Sequence, residues 1–272
     1  MDTFPPIAEW GRFAFALLLF AAQMLAHEAG YWLGYRRKAR GGEAQAEGVA
    51  VVVGGMLGLL GFVLALTLSF ASARFNERLA ATLAEANAID TAWLRAKAIG
   101  DVRGQEIARL LAQYAQIRRD FVREGRDESA IDELNQRTNA LQSKIWGQVA
   151  AIVRDQPNPV SASLMSALND AFDQATAVRF TYYLRLPPQI FWLLIGLTLL
   201  GMGALGHQLG LKGRQVHTLV GFLAIMWTAV IVDILDLATP RLGTLRASAT
   251  VYQWTLQGFE GGVQIPPVPA PK

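Results

Sequence analysis

The chain has 272 residues, of which 52% are hydrophobic and 17% are charged. A soluble protein usually carries about 25% charged residues, so the composition predicts a membrane protein. The net charge of +3 argues against a basic nucleic-acid-binding surface, and the absence of cysteine excludes disulfides, thiol nucleophiles and thiolate metal sites.

The first predicted span runs from Arg12 to about Tyr35. We interpret it as a retained anchor, because no basic stretch precedes it and no small-residue cleavage site follows it, as a signal peptide would require. Trp32 and Tyr35 stand next to a basic cluster at 36–40. This combination is typical of a helix that ends at the cytoplasmic interface.

The second predicted span, about 48–73, is uncharged and long enough to cross a hydrocarbon core of about 30 Å as a helix. Residues 74–98 contain no proline or glycine, and their apolar side chains recur at spacings of three and four. One unbroken helix is therefore predicted to run from this span into the soluble part of the chain. Gly54 and Gly58 form a GxxxG motif that predicts close helix packing, with a pore-lining role as the alternative.

A helical extramembrane bundle of nearly neutral charge is predicted for residues 74–186. Its first helix continues the second span to about Ala98, and three more helices are predicted at about 102–123, 128–154 and 160–184. Apolar residues in the 128–154 helix alternate at threes and fours, as in helices that pack in bundles. Asp127 is its predicted N-cap.

Two further spans are predicted at about 189–209 and 217–237. The tail holds one predicted helix, Leu245–Phe259, in which Tyr252 and Trp254 are predicted to lie at the membrane interface. The chain finishes with PPVPAPK, a composition that favours polyproline II or disorder.

The predicted fold is all-α: a polytopic membrane protein with four transmembrane helices and a helical extramembrane bundle between spans two and three. Its predicted regions are an N-terminal transmembrane hairpin, an extramembrane domain, a C-terminal transmembrane hairpin and a tail, at 1–73, 74–186, 187–240 and 241–272. Both short loops, 36–47 and 210–216, are basic. The charge bias predicts that these loops are cytoplasmic and that the central domain is periplasmic, in a multi-pass protein of the cell inner membrane.

The segment EANAIDTAWLRA, from Glu85 to Ala96, resembles the bacterial bestrophin-like membrane proteins, a domain of unknown function. The resemblance covers roughly 50–250 and extends to a Y-x-x-x-R pair and a D-L-x-x-P-x-x-G segment, here Tyr114, Arg118, Asp236, Leu237, Pro240 and Gly243. It implies kinship with the bestrophin anion channels, and hence four spans and pentameric assembly. The acidic calcium-binding run that bestrophins carry after the last span is missing, so calcium gating is not expected.

Three groups of residues are candidates for a functional site. The first is a polar network on the soluble helices, which we interpret as a buried structural network, with a polar ring in an oligomer as the alternative: Glu85, Asn87, Arg95, Tyr114 and Arg118. Glutamate and asparagine are poor choices for a simple apolar seam, which is why these positions stand out.

The second group consists of ionisable residues within the spans: His27, Glu28, His207, Asp233 and Asp236. Such groups are costly in a membrane and usually lie against a partner. For the histidines and Glu28 there are two interpretations. The side chains either snorkel to the interface and form an interhelical hydrogen bond, or they form a proton or ion relay. For the two aspartates there are also two interpretations. They either form an ion pair with an arginine (Arg241, Arg74 or Arg78), or they attract cations to the mouth of a pore.

The third group is a helical stripe on the second span that is a candidate lining for a pore: Val53, Leu57, Leu60, Leu64 and Thr67. An apolar constriction of this kind can gate a channel by dewetting. Four spans cannot readily surround a pore, so this role requires several subunits.

The sequence contains no P-loop, GxGxxG, HExxH or GxSxG motif, so neither an enzyme nor a cofactor is predicted. The acidic run at 127–133 favours a helix start over a metal site, because carboxylates stabilise the first turn of a helix. The predicted protein is a homo-oligomer in a lipid bilayer, with an ion as a candidate substrate and no nucleic-acid partner. Its predicted function is that of a bestrophin-like ion channel; the alternative is an envelope scaffold or sensor whose helical domain binds a partner.

Overall fold

The computed structural model describes residues 11–40, 46–184, 186–241 and 245–263. These residues form α-helices without any strand, so the predicted all-α class is confirmed. The helices are α1 (Arg12–Lys38), α2 (Ala46–Ile99), α3 (Val102–Arg123), α4 (Glu128–Asp155), α5 (Pro159–Tyr183), α6 (Pro188–Lys212), α7 (His217–Ala238) and α8 (Thr250–Gly261). The final PPVPAPK segment lies outside the described residues.

Four stretches of helix are long and apolar enough to cross a membrane, as predicted. They lie in α1, α2, α6 and α7; the third belongs to α6, which has no charged residue before Lys212. Helix α2 is 54 residues long and unbroken, so the predicted continuation of the second span into a soluble helix is also confirmed.

The chain divides into two compact units. The span unit comprises 1–74 and 185–245, and the bundle unit comprises 75–184 and 246–272. The two hairpins predicted as separate regions thus form one unit, and the tail contributes α8 to the bundle unit.

Within the span unit, α1 and α6 pack with their backbones in direct contact at four glycines: Gly30, Gly34, Gly206 and Gly210. A Cβ added at Gly30 would collide with the carbonyl oxygen of Gly203, and one at Gly206 would collide with that of His27. Close approach of small residues gives membrane helices the van der Waals contacts that hold them together. These glycines are therefore required by the fold.

The GxxxG motif of α2 behaves differently. A Cβ at Gly54 or Gly58 would meet no atom of the described residues within 4 Å. The predicted close packing through this motif is therefore not made by the described residues of the chain. The spacing of the glycines indicates that a helix can approach closely, but it does not identify the helix that does so.

The bundle unit has a continuous apolar core built from α3, α4, α5, α8 and the second half of α2. The predicted seam of α4 is buried, and α4 begins at Asp127, whose side chain accepts hydrogen bonds from the backbone N–H groups of Ser129 and Ala130. This confirms the predicted N-cap. Helix α8 joins the core through Phe259, whose ring stacks on Trp93 at a centroid distance of 4.6 Å.

Candidate functional site

A charge pair lies at the centre of the bundle unit. Arg118 of α3 donates to the carboxylate of Glu85 of α2 through Nε at 2.5 Å and through Nη2 at 3.2 Å. Both side chains are completely enclosed, with 1% and 0% of their surfaces exposed. A buried pair of this kind is tolerated only when further hydrogen bonds satisfy the remaining polar atoms.

Two more helices supply those hydrogen bonds. Tyr252 of α8 donates its hydroxyl to Glu85 Oε2 at 2.6 Å, and Arg118 Nη2 also donates to the carbonyl oxygen of Ala175 in α5 at 3.3 Å. The guanidinium of Arg118 in addition lies over the ring of Phe121, 4.6 Å from its centroid. Helices α2, α3, α5 and α8 are therefore joined at one charge pair.

The electrostatics of the pair favour a fixed charge state. Burial lowers the pKa of Arg118, but the carboxylate of Glu85 outweighs burial and the net shift is upward. Burial, reinforced by the charge of Glu85, raises the pKa of both Tyr252 and Tyr114. The tyrosines therefore stay neutral at physiological pH, and this cluster is suited to holding helices together rather than to proton transfer.

The predicted polar network is brought together only in part. Glu85 and Arg118 form its centre, and Tyr114 lies within electrostatic reach, accepting a hydrogen bond from Gln142 at 2.9 Å. Asn87 is exposed, and Arg95 donates to the carbonyl oxygen of Ser163 at a separate point.

Sequence reasoning placed Tyr252 at the membrane interface, and this prediction was wrong. The side chain is fully buried in the bundle unit. Tyr252 belongs to a short helix of the tail, and the sequence of that helix gives no signal of where it packs. Gln142, the donor to Tyr114, was not predicted as part of the network because it lies among the polar positions of α4.

The aspartates at the end of α7 pair with the start of α1. Arg12 Nη2 lies 3.1 Å from Asp233 Oδ1, and Arg12 Nη1 lies 3.5 Å from Asp236 Oδ2. Asp236 Oδ2 also accepts from the backbone N–H of Leu245 at 3.2 Å. The ion pair predicted for these aspartates is present, with Arg12 as a partner that the sequence did not suggest.

The histidines and Glu28 also have a different arrangement from the predicted one. Glu28 Oε1 lies 3.6 Å from Nδ1 of His27 and 3.3 Å from Nδ1 of His217. The sequence suggested His207 as the third member, yet the structure brings His217, the first residue of α7, to the carboxylate. His207 instead contributes its backbone to the glycine crossing, against Gly34.

The predicted pore-lining stripe faces the interior of the span unit. Val53, Leu60, Leu64 and Thr67 are buried, and Leu57 and Leu60 lie against Gly201 of α6. Leu60 and Leu64 share an apolar core with residues of α1, α6 and α7. This packing argues for a structural role of the stripe, and it leaves the opposite face of α2 exposed.

Among the described residues, no group of three or more histidine, aspartate or glutamate side chains is placed to hold a metal ion. The acidic run at the start of α4 serves that helix, through the Asp127 cap.

The fold and these sites define the class of protein. It is a polytopic helical membrane protein with a helical bundle whose helices are joined at a buried ion pair. A model of the bestrophin-like domain matches residues 21–252, and the chain belongs to the bestrophin-like family. No curated protein and no solved structure gives a significant match to it.

Proposed function

We propose that the protein is a homo-oligomeric ion channel whose conduction path is lined by the exposed face of α2. The observation that carries this proposal is the unusual exposure of that helix. Only 17% of the apolar window of α2 is buried within the chain, against 28%, 33% and 39% for the other three spans.

A stripe of exposed residues without charged side chains runs along α2 and continues beyond the span, with the exposed Arg74 and Glu77 beside it. It comprises Gly55, Gly58, Phe62, Leu66, Ser69, Ala73, Asn76, Ala80, Leu83, Asn87 and Leu94. Leu83 and Leu94 are about half exposed, at 48% and 46%, although they belong to the bundle unit. Spacings of three and four with small, leucine and asparagine side chains favour contact with another helix, and a single polar asparagine can set the register of such a contact.

A second copy of the chain accounts for the whole face. Within the span, glycines allow a neighbouring helix to approach, as they do between α1 and α6. Further along, Asn76, Leu83 and Asn87 repeat on the same side. Several copies related by an axis parallel to α2 would cover this face throughout, and the family resemblance favours five.

The same arrangement would provide a constriction. Phe62 and Leu66 are 61% and 47% exposed and lie one turn apart. A ring of such side chains forms an apolar narrowing that gates by dewetting. In this proposal the path is lined by the face opposite to Leu60 and Leu64, which support α2 from within the chain.

Cysteine cross-linking tests the assembly, because the chain has no cysteine of its own. Asn87→Cys is expected to give a cross-linked ladder in native membranes with a short bis-maleimide. Asn139→Cys is the matched control, since Asn139 is also exposed but lies on α4. Equal cross-linking of both variants, or monomers by mass photometry in lipid nanodiscs, would overturn the assembly.

Flux assays in proteoliposomes test conduction. The variant Leu66→Ser is expected to increase chloride or potassium flux because it wets the constriction, whereas Leu17→Ser, on a 69% exposed position of α1, is expected to leave flux unchanged. If neither ion permeates with the wild type or with Leu66→Ser, the channel proposal fails and the scaffold or sensor alternative is favoured.

We also propose that the protein lies in the inner membrane with the segment between α2 and α6 in the periplasm. The support is the basic character of the two short loops, since positive residues stay on the cytoplasmic side. A periplasm-active reporter fused after Gln156 should be active, and activity only of a cytoplasmic reporter at that site would reverse the orientation.

A further inference from the structure

Helix α1 buries two polar side chains among apolar ones. Its buried face consists of Phe15, Leu19, Gln23, His27, Gly30 and Gly34. Gln23 is 0% exposed and His27 is 2% exposed, and both lie inside the apolar span. Within the described residues, Gln23 Oε1 and both ring nitrogens of His27 have no hydrogen-bond partner.

Buried polar atoms in proteins are nearly always hydrogen-bonded, either to the protein or to an ordered water. Three unpartnered atoms within one turn of a helix therefore indicate that something small and polar occupies the space beside them. The neighbouring helix α6 presents a glycine, Gly206, to the backbone carbonyl of His27.

The polar groups lie in two sets along the contact between α1 and α7 and together form a polar column. His217, at the start of α7, lies 3.3 Å from Glu28, and Glu28 lies 3.6 Å from Nδ1 of His27. One turn further along α1, Gln23 Nε2 donates to Thr228 Oγ1 of α7 at 2.8 Å. Thr228 is eleven residues beyond His217, about 16 Å along a helix, which is roughly half the hydrocarbon thickness.

The column stops near the middle of the span. Beyond Gln23, the same face of α1 continues with Leu19 and Phe15, and α7 continues with Ile231 and Val232, all of them buried. Glu28 and His217 are about half exposed, so the column is open to protons at one end only.

We propose that this column is a hydrated, blind-ended proton-binding site, in which water bridges Gln23 and His27 and in which His27 takes up a proton held by the carboxylate of Glu28. The titratable groups whose contacts with this site are seen are Glu28 on the same helix as His27, and His217 on α7, while α6 meets the backbone of His27 with Gly206. The chemistry is the reversible transfer of one proton from a hydronium ion to an imidazole nitrogen, which leaves a water molecule and an imidazolium–carboxylate pair. The site is independent of whether the protein conducts ions.

Histidine NMR tests this directly, because the chain has only three histidines. The full chain is labelled with ¹⁵N-histidine in nanodiscs, and the variants His27→Gln, His207→Gln and His217→Gln assign the signals. The His27 signal is expected to change from the neutral to the protonated form during a titration from pH 8 to pH 4, and to exchange with water. A His27 signal that stays neutral throughout the titration and is protected from water would overturn the proposal.

The variant Glu28→Gln separates a proton-binding site from an incidental histidine. Removal of the carboxylate is expected to lower the His27 midpoint by about one pH unit, because an opposite charge within a few ångströms favours the charged form. His207→Gln is the control and should leave the midpoint unchanged. An unchanged midpoint in Glu28→Gln would refute the pairing, and this result does not depend on whether His27→Gln folds.

A pH-sensitive dye inside proteoliposomes tests the blind end of the column. The wild type is expected to show no proton leak, because apolar side chains fill the second half of the path. A leak that Glu28→Gln abolishes would show that the column crosses the membrane, and that result would contradict the blind-ended site.

Discussion

The buried pair of Glu85 and Arg118 leads to the sharpest prediction. The change Glu85→Gln removes the carboxylate and leaves a guanidinium that is 1% exposed without its counter-charge. Breaking a buried pair from one side typically costs about 3–5 kcal/mol, because the remaining charge stays buried. Each factor of ten in an equilibrium corresponds to about 1.4 kcal/mol, so opening of the bundle unit should increase by about two to three and a half orders of magnitude.

The assay is hydrogen exchange of the full chain in nanodiscs, followed by mass spectrometry of peptides from α3 and α8. Local exchange reports the free energy of opening without requiring unfolding of the spans. The matched control is Arg109→Gln, because the Arg109–Glu106 pair has a comparable distance, 2.6 Å, but lies on the surface. Exchange in α8 should not change in that control.

A double variant tests whether the unpaired charge of Arg118 causes this loss of stability. In the double variant Glu85→Gln with Arg118→Met, no unpaired charge remains, so its exchange should be slower than that of Glu85→Gln alone. Additive effects of the two changes, or exchange in Glu85→Gln within a factor of ten of the wild type, would refute the assignment of the pair as the anchor of these helices.

Further predictions address other parts of the chain. Gly206→Leu should abolish the folded protein, as measured by expression and thermal stability, because its side chain would enter the α1 backbone, whereas Gly58→Leu should leave the subunit folded. Tyr252→Phe should destabilise α8 by about 1.5–3 kcal/mol in hydrogen exchange, the usual value of a hydrogen bond to a charged group. Folding raises the pKa of Tyr252, so the stability that its hydroxyl contributes is complete below the unfolded pKa of about 10 and is lost as the pH rises through the folded pKa. Absorbance at 295 nm should then show tyrosinate appearing together with loss of helix. Arg12→Gln should lower the thermal stability of the span unit, because Asp236, 6% exposed, loses a cationic partner.

Local patterns in the sequence were sufficient to predict the helices and most of their ends, although α8 begins at Thr250 and not at the predicted Leu245. Asp127 precedes an apolar seam with a capping side chain, and the predicted 102–123 helix agrees with the observed Val102–Arg123. Glu85 stood out because a carboxylate is a poor choice for an apolar seam, and Arg118 was found through the Y-x-x-x-R pair of the family resemblance. Each of these signals depends on neighbours within a few turns of one helix.

Contacts between distant segments could not be predicted in this way. Tyr252 is 167 residues from Glu85, and nothing in a short helix of the tail specifies the surface on which it packs. The glycine spacings at Gly30, Gly54 and Gly206 are equally visible in the sequence, but only the structure shows which of them meet another helix. The same limitation led us to His207 in place of His217 as the neighbour of Glu28.

The contribution of Tyr252 has a consequence for biosynthesis. The hydroxyl that completes the hydrogen bonds of the Glu85 carboxylate belongs to α8, which is synthesised after α7, the last of the four apolar spans among the described residues. The bundle therefore cannot reach its final packing until α8 has been made, and before that the buried carboxylate of Glu85 lacks one of its hydrogen-bond donors. A chain truncated after α7 is expected to leave this carboxylate short of one donor and to be cleaved more readily by proteases.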